Sequence, residues 1–373
     1  MPGGETLYNR AAMTDVAPDP LLGFVEAVQA RANAYLSVRP DQYEQLDHLR
    51  HVSNRAHWLF YNELVRATVP GAPVMMSRRD SLLLDACTFS HDLGKWIPRD
   101  DLAALLPVAV TPAQARLAFN ERAKTLLGLS AYEIDLLWLG LRRRLDPEVD
   151  AYSAVYDAAH HLVSAYIITA DPALGFSALS RDDQTEVLTT VIGHQFGAYY
   201  KRTLFELSLN DPEITPGLLV DISRPDRIVG LRLAASFHDA DINDMLYVGS
   251  LERRPYREDL LHAGGLIKIF LINLTLLVNN VPNGPRDLYD CVRSCSGTVQ
   301  SVISEFLTPT ARNEGQAMRA RATEFLDMLS EVDTATGYTR LIQDTTRPPS
   351  ERLKALRTLT HSRAREFLRQ HRD

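Results

Sequence analysis

His48, the adjacent pair His91-Asp92, the adjacent pair His160-His161, then His194 and Asp241 distribute imidazoles and carboxylates along a chain of 373 residues. Neutral imidazole and carboxylate are the ligand chemistry that suits Fe, Mn or Zn. An ion so held turns water into hydroxide near neutral pH and offsets charge on a phosphoryl oxygen. The residue types therefore point to a metal-dependent hydrolase. No single station carries that reading, since a lone histidine on an apolar helix face is usually a satisfied core residue, and the dipeptide His-Asp recurs at His238-Asp239.

For such stations to converge, the elements around them must be long and amphipathic. Apolar residues recur at spacings of three and four, as in Leu22, Val25, Val28 and again Leu59, Leu64, Val65, while strict alternation is rare. This predicts an all-α fold. A helical DHLRHVSNRA puts His48, Val52 and Ala56 on one face, leaving His51 and His57 on others. The stretch LLLDACTFSHDLGKWIP delivers His91 and Asp92 from an apolar helix. Gly94 permits a break beside them, and the ammonium of Lys95 is placed to neutralise a phosphate or protonate a leaving oxygen. Asp239 and Asp241 compete for the last ligand position, because residues two apart on a helix point roughly opposite ways.

The remaining punctuation is clear. Asp19 as N-cap and Pro20 at the first helical position open a helix after a Pro/Gly-rich start expected to be mobile. Breaks are predicted at Val69–Pro73, Asn210–Pro216 and Asn280–Pro285, and a basic amphipathic helix from about Pro348 to the end. The run Leu266–Val278 suits a buried core or an interface between copies; interrupted by Lys268 and Asn273, it falls short of the ~20 residues a membrane span needs. With no membrane partner expected, Cys87, Cys291 and Cys295, which have no zinc-finger spacing, fit a reducing, cytoplasmic setting. The net charge of −7 gives no global positive field for a phosphate backbone, which argues against polymeric nucleic acid.

The order His48, His91-Asp92, Asp241 resembles the HD superfamily of metal-dependent phosphohydrolases. HDLGKWIP, with Asp101-Leu102 beyond it, is similar to the HDxGK…IP segment of the HD-GYP phosphodiesterase branch. ADINDM followed by RRPYRED is similar to that branch's AD-x-x-D motif and the RPYR that trails it. Between them, HHLVSAYII and VIGHQFGAYY stand where the family has a histidine-led helix and its GYP segment; the tripeptide itself is absent.

The resemblance covers roughly residues 45–285 and implies a helical bundle with ligands converging from separate helices. It selects Asp241 over Asp239 and prefers His161 to His160, since Ala165 supplies the small residue four positions on. It implies one or two divalent transition metal ions: His48, His91, Asp92 and Asp241 at one position, and Asp92, His161 and His194 at a second. Asp92 and Lys95 become the catalytic residues, Arg254 and Arg257 of RRPYR candidate contacts to an anionic substrate, and Asp244 a hydrogen-bonding support. The implied organisation is an N-terminal segment and helix at 1–44, a catalytic domain at 45–285 with a helical insertion near 105–150, and a helical region at 286–373. The implied substrate is a small phosphate ester such as a nucleotide. Two other readings share the ligand set: a di-iron oxygenase acting on a small alcohol or phosphonate, and a degenerate nucleotide-binding signalling module.

Overall fold

The computed structural model describes residues 19–39, 41–98, 101, 151–194, 225–252, 260–282, 284–331 and 337–371. Helix α1 (Pro20–Leu36) opens as its sequence dictates: the Asp19 side chain accepts from Leu21 N at 3.1 Å, and Pro20 fills the first turn. Helix α2 (Gln42–Ala67) buries Gln45, His48, Leu49, Val52, Ala56, Leu59 and Phe60. This is the stripe at three- and four-residue spacing expected of a helix with one face in a core. Helix α3 (Arg78–Ser90) starts on a capping box between Ser77 and Asp80, and the single turn α4 (Leu93–Trp96) follows after His91 and Asp92.

Helix α5 (Ala151–Ala170) leads through two short 3-10 turns, Pro172–Leu174 and Phe176–Ala178, into α6 (Arg181–Gly193). Helix α7 (Pro225–Asp244) precedes two strands, β1 (Gly249–Glu252) and β2 (Leu260–Ala263). They pair antiparallel, Gly249 opposite Ala263 and Glu252 opposite Leu260. This ribbon is the one departure from the all-helical expectation among the described residues; four residues a strand is too short for alternation to announce. It flanks RRPYRED, and His262 and Ala263 clamp it to α2: His262 Nδ1 and Ala263 N donate to the two oxygens of Asp47, at 2.6 and 3.1 Å. The residue so held is the immediate neighbour of His48.

The chain ends in α8 (Gly265–Val278), α9 (Leu288–Glu305), α10 (Pro309–Glu331), α11 (Tyr338–Gln343) and α12 (Pro349–Gln370). The breaks expected at Val69–Pro73 and Asn280–Pro285 fall in the α2–α3 and α8–α9 connections, and the basic tail helix begins at Pro349. Helix α8 buries Leu266, Ile267, Phe270, Leu274 and Val278 between α9 and α12, so this apolar run is core. No helix among the described residues is long and apolar enough to cross a membrane. Cys87, Cys291 and Cys295 are buried and unpaired. The expected insertion near 105–150, the break at Asn210–Pro216 and the arginines Arg254 and Arg257 lie outside the described residues.

Helix α2 lies along α7, α3 packs on α1 and α6, and α4 sits on α5. At roughly 1.5–3 kcal/mol for each fully buried large apolar side chain, Phe60, Leu83, Phe237 and Phe270 are among those that hold this arrangement. Polar side chains buried inside it are therefore placed by a strong scaffold.

A candidate metal centre

Four imidazoles and two carboxylates meet where α2, the α3–α4 junction, α5, α6 and α7 come together. His48 points from α2 with Nε2 at 3.3 Å from His91 Nε2, 3.3 Å from Asp241 Oδ1 and 3.8 Å from Asp92 Oδ2. His91 Nε2 lies 3.6 Å from Asp92 Oδ2 and 3.7 Å from Asp241 Oδ1. On the other side of the same carboxylate, Asp92 Oδ1 stands 3.5 Å from His160 Nε2 and 3.7 Å from His194 Nε2, which are themselves 3.2 Å apart. Ligands about 2.1 Å from one ion stand about 3.0 Å apart at a right angle and about 3.4 Å apart at the tetrahedral angle. The observed separations lie at and just above that range, and they fall into two groups, His48-His91-Asp92 and Asp92-His160-His194, that share Asp92.

The imidazoles are aimed by what their other nitrogen does. His91 and His194 each cap the C-terminus of a helix, α3 and α6, and each turns Nδ1 back onto a carbonyl three residues earlier: Thr88 O at 2.8 Å and Val191 O at 2.5 Å. These are carbonyls that a helix end leaves without an intrahelical donor. His48 Nδ1 donates to Asp244 Oδ2 at 2.8 Å. Such partners fix the ring and make Nε2 the ligand nitrogen. A neutral His91 or His194 with its proton on Nδ1 presents Nε2 as an acceptor only. In that tautomer His91 and His194 turn lone pairs rather than protons toward Asp92, an arrangement that a cation between them would relieve, as Lys95 does from the solvent side.

Charge follows the same pattern. Burial pushes His91 down to about 4 and holds His160 well below the usual imidazole value. Burial also opposes charge on His48, but its hydrogen bonds to Asp241 and Asp244 outweigh that and raise it to about 9. Burial works against ionisation of Asp92 and Asp241 too, yet Lys95 and His91 hold the first, and His48 the second, well below the usual carboxylate range. Lys95 reaches in from the surface, its Nζ 2.8 and 3.1 Å from the Asp92 oxygens. The set is two ionised carboxylates, imidazoles of which burial keeps His91 and His160 neutral while Asp241 and Asp244 hold a proton on His48, and one flanking ammonium; with that proton released it is a donor set that fits a divalent transition metal.

The structure turns His160, rather than the expected His161, toward Asp92. The reason lies in how α5 meets α4. Ser164, one turn after His160, donates Oγ to His91 O at 2.6 Å and accepts from Gly94 N at 2.8 Å. Gly94 packs so tightly on α5 that an added Cβ would fall 2.2 Å from His160 O. The small residue that positions this helix is thus Ser164 and not Ala165, which rotates the choice by one residue. His161 is buried beside the cluster, its ring centroid 5.7 Å from His160 and 6.4 Å from His194, and burial lowers it to about 3. The glycine likewise serves a close approach between helices more than a helix break.

Other stations fall where the sequence put them or have a clear structural task. Asp239 faces away from Asp241 and binds the chain before α10. His51 stacks on Tyr247 at 3.8 Å, and His57 bonds Ser53 O and Ser81. Residues that motif reading passed over are Ser164, Asp47 and the pair Gln45-Lys268; a buried serine one turn from a ligand histidine is the signal for the first. Comparison of the chain with protein-family models, curated proteins and solved structures finds no match.

Proposed function

We propose that this chain is a metal-dependent phosphohydrolase or phosphodiesterase acting on a small phosphate ester, with nucleotides the leading class. The observation that carries the reading is the division of Asp92, one oxygen facing His48 and His91 and the other facing His160 and His194. A carboxylate so shared suits two neighbouring ions, which together would lower the pKa of water and stabilise charge on a phosphoryl oxygen in an in-line displacement. His48, His91, Asp92 and Asp241 would hold the first ion, and Asp92, His160 and His194 the second. Lys95, ion-paired to Asp92 from the solvent side, supplies a positive charge and a proton for the leaving oxygen. The resemblance of HDLGKWIP and ADINDM to the HD superfamily supports the same class.

A second reading has its own observation. His48, His91 and Asp92 form a set of two histidines and one carboxylate, a ligand set that also serves non-haem iron in oxygen chemistry. One experiment addresses both: elemental analysis of the purified protein, with hydrolysis of bis(p-nitrophenyl) phosphate in added Mn²⁺, in air and anaerobically. The phosphohydrolase reading expects about two ions per chain and turnover indifferent to oxygen. Bound iron without hydrolysis, and turnover of an alcohol or phosphonate only in air, would replace it with the oxygenase.

A further inference from the structure

Helix α8 is apolar on nearly every side, yet it carries a lysine toward the centre. Lys268 Nζ donates to Gln45 Oε1 at 2.8 Å, and no carboxylate lies within ion-pair distance of it among the described residues. Gln45 precedes His48 by three positions on the same buried face of α2, so this ammonium is held one helical turn from a candidate metal ligand. Burial lowers the pKa of Lys268, and the charge of Lys95 is the next cause, with Asp92 and Asp244 acting in the opposite sense. A half-buried lysine whose ammonium is bonded to a neutral amide keeps a charge that an anion can share.

A belt of hydrogen bonds fixes the pair. Gln45 Nε2 donates to Asp41 Oδ2 at 2.7 Å, Arg39 Nε donates to Asp41 Oδ1 at 2.9 Å, and Arg39 Nη1 donates to Lys95 O at 2.7 Å. Asp41 is thereby matched by Arg39, and Asp92 by the imidazoles and Lys95. Among the described residues no carboxylate lies close enough to match the charge of Lys268 in this way. We infer that Lys268, with Lys95, forms an anion subsite on the rim of the metal centre that takes a second phosphoryl group of the substrate, beside the one held at the centre. The substrate class becomes a diphosphate, or an ester with two phosphoryl groups close together.

This inference rests on the phosphohydrolase reading, and its test separates the two. Mn²⁺-loaded protein, dialysed free of excess metal and checked by elemental analysis, is titrated calorimetrically with orthophosphate and with diphosphate, in the wild type, Lys268→Met and Lys268→Arg. A charge-assisted hydrogen bond is worth enough that Lys268→Met should weaken diphosphate about tenfold or more and orthophosphate less than about threefold, with Lys268→Arg close to wild type for both. A merely structural lysine would move both anions equally or neither. Equal losses, or none, in a Lys268→Met protein of wild-type metal content and melting temperature would overturn the subsite. So would a metal-loaded wild type that binds no diphosphate, which leaves the metal centre standing. A wild type that takes up no metal removes the reading beneath it.

Discussion

His-Asp occurs twice among the buried residues, at His91-Asp92 and at His238-Asp239, and the two copies do opposite work. The second lies within helix α7. His238 Nδ1 donates to its neighbour's Oδ1 at 3.0 Å, and the Asp239 oxygens also accept from Leu307 N at 2.9 Å, Thr308 N at 2.6 Å and Thr308 Oγ1 at 2.7 Å. Donors of the protein saturate that carboxylate, which ties the start of α10 to α7. The first copy spans a junction, His91 closing α3 and Asp92 preceding α4. There the backbone turns, both side chains enter one centre, and Asp92, bonded by Lys95 from the solvent side, otherwise meets imidazoles, of which His91 and His194 spend Nδ1 on helix-end carbonyls. The dipeptide is the same; what separates an anchor from a candidate ligand is whether the surroundings bring donors or lone pairs.

The sharpest way to break this comparison is to remove each carboxylate. Asp92→Ala should lose both metal positions and all activity, while the folded protein persists, because Lys95 can turn to solvent, His48 keeps Asp241 and Asp244, and burial keeps His91 and His160 neutral. Asp239→Ala should keep its metal content and lose about 3 kcal/mol of stability, since it strands two buried donors of Thr308 and the half-buried Leu307 N before α10. Elemental analysis and thermal melts of the two variants decide it. Metal retained in Asp92→Ala, or lost in a folded Asp239→Ala, would end the distinction.

Next in size is the contact that chooses His160. Gly94→Ala must push α4 from α5, against His160 O and Val163, at a cost of about 1–3 kcal/mol for overpacking. It should weaken the Asp92-His160-His194 position more than the other. His160→Ala and His194→Ala should each bring metal content to about one ion per chain, whereas His161→Ala should leave it unchanged. The stoichiometry of these variants tests the assignment, and a metal loss confined to His161→Ala would return the position to His161.

These contrasts also mark what the chain makes legible. Periodicity sufficed for the helices, and residue type for the cap at Asp19 and the helix start at Pro349, because each signal is local. His48, Asp92, His194 and Asp241 were visible as ligand types, and the opposition of Asp239 and Asp241 followed from helical geometry alone. The choice between His160 and His161 was not legible. It depends on the angle at which two helices far apart in sequence approach, set by Gly94 and Ser164, and one residue's rotation is finer than a spacing argument resolves. Lys268 was hidden for a related reason: on an apolar helix it reads as an interruption, and only the fold brings Gln45 to it.

The smallest effect concerns the proton on His48, which the HD-like dipeptides do not share. Asp241 and Asp244 raise that imidazole from 6.5 to about 9 in the protein without metal. A raised value means the folded state holds the proton more tightly than the unfolded chain. The stability this contributes is full below 6.5 and is lost as pH rises through about 9. Metal binding has the opposite slope, because His48 must release the proton before Nε2 can serve as a ligand. Between these values metal affinity should rise by about tenfold per pH unit, while the metal-free protein becomes less stable. Asp244→Asn should flatten both slopes together and cost about 10–100-fold in metal affinity near neutral pH, through loss of the group that orients the ring. Parallel titrations of metal affinity and of the metal-free melting temperature between pH 6.5 and about 9 measure it. Slopes of the same sign would show that Asp244 holds His48 in place without holding its proton.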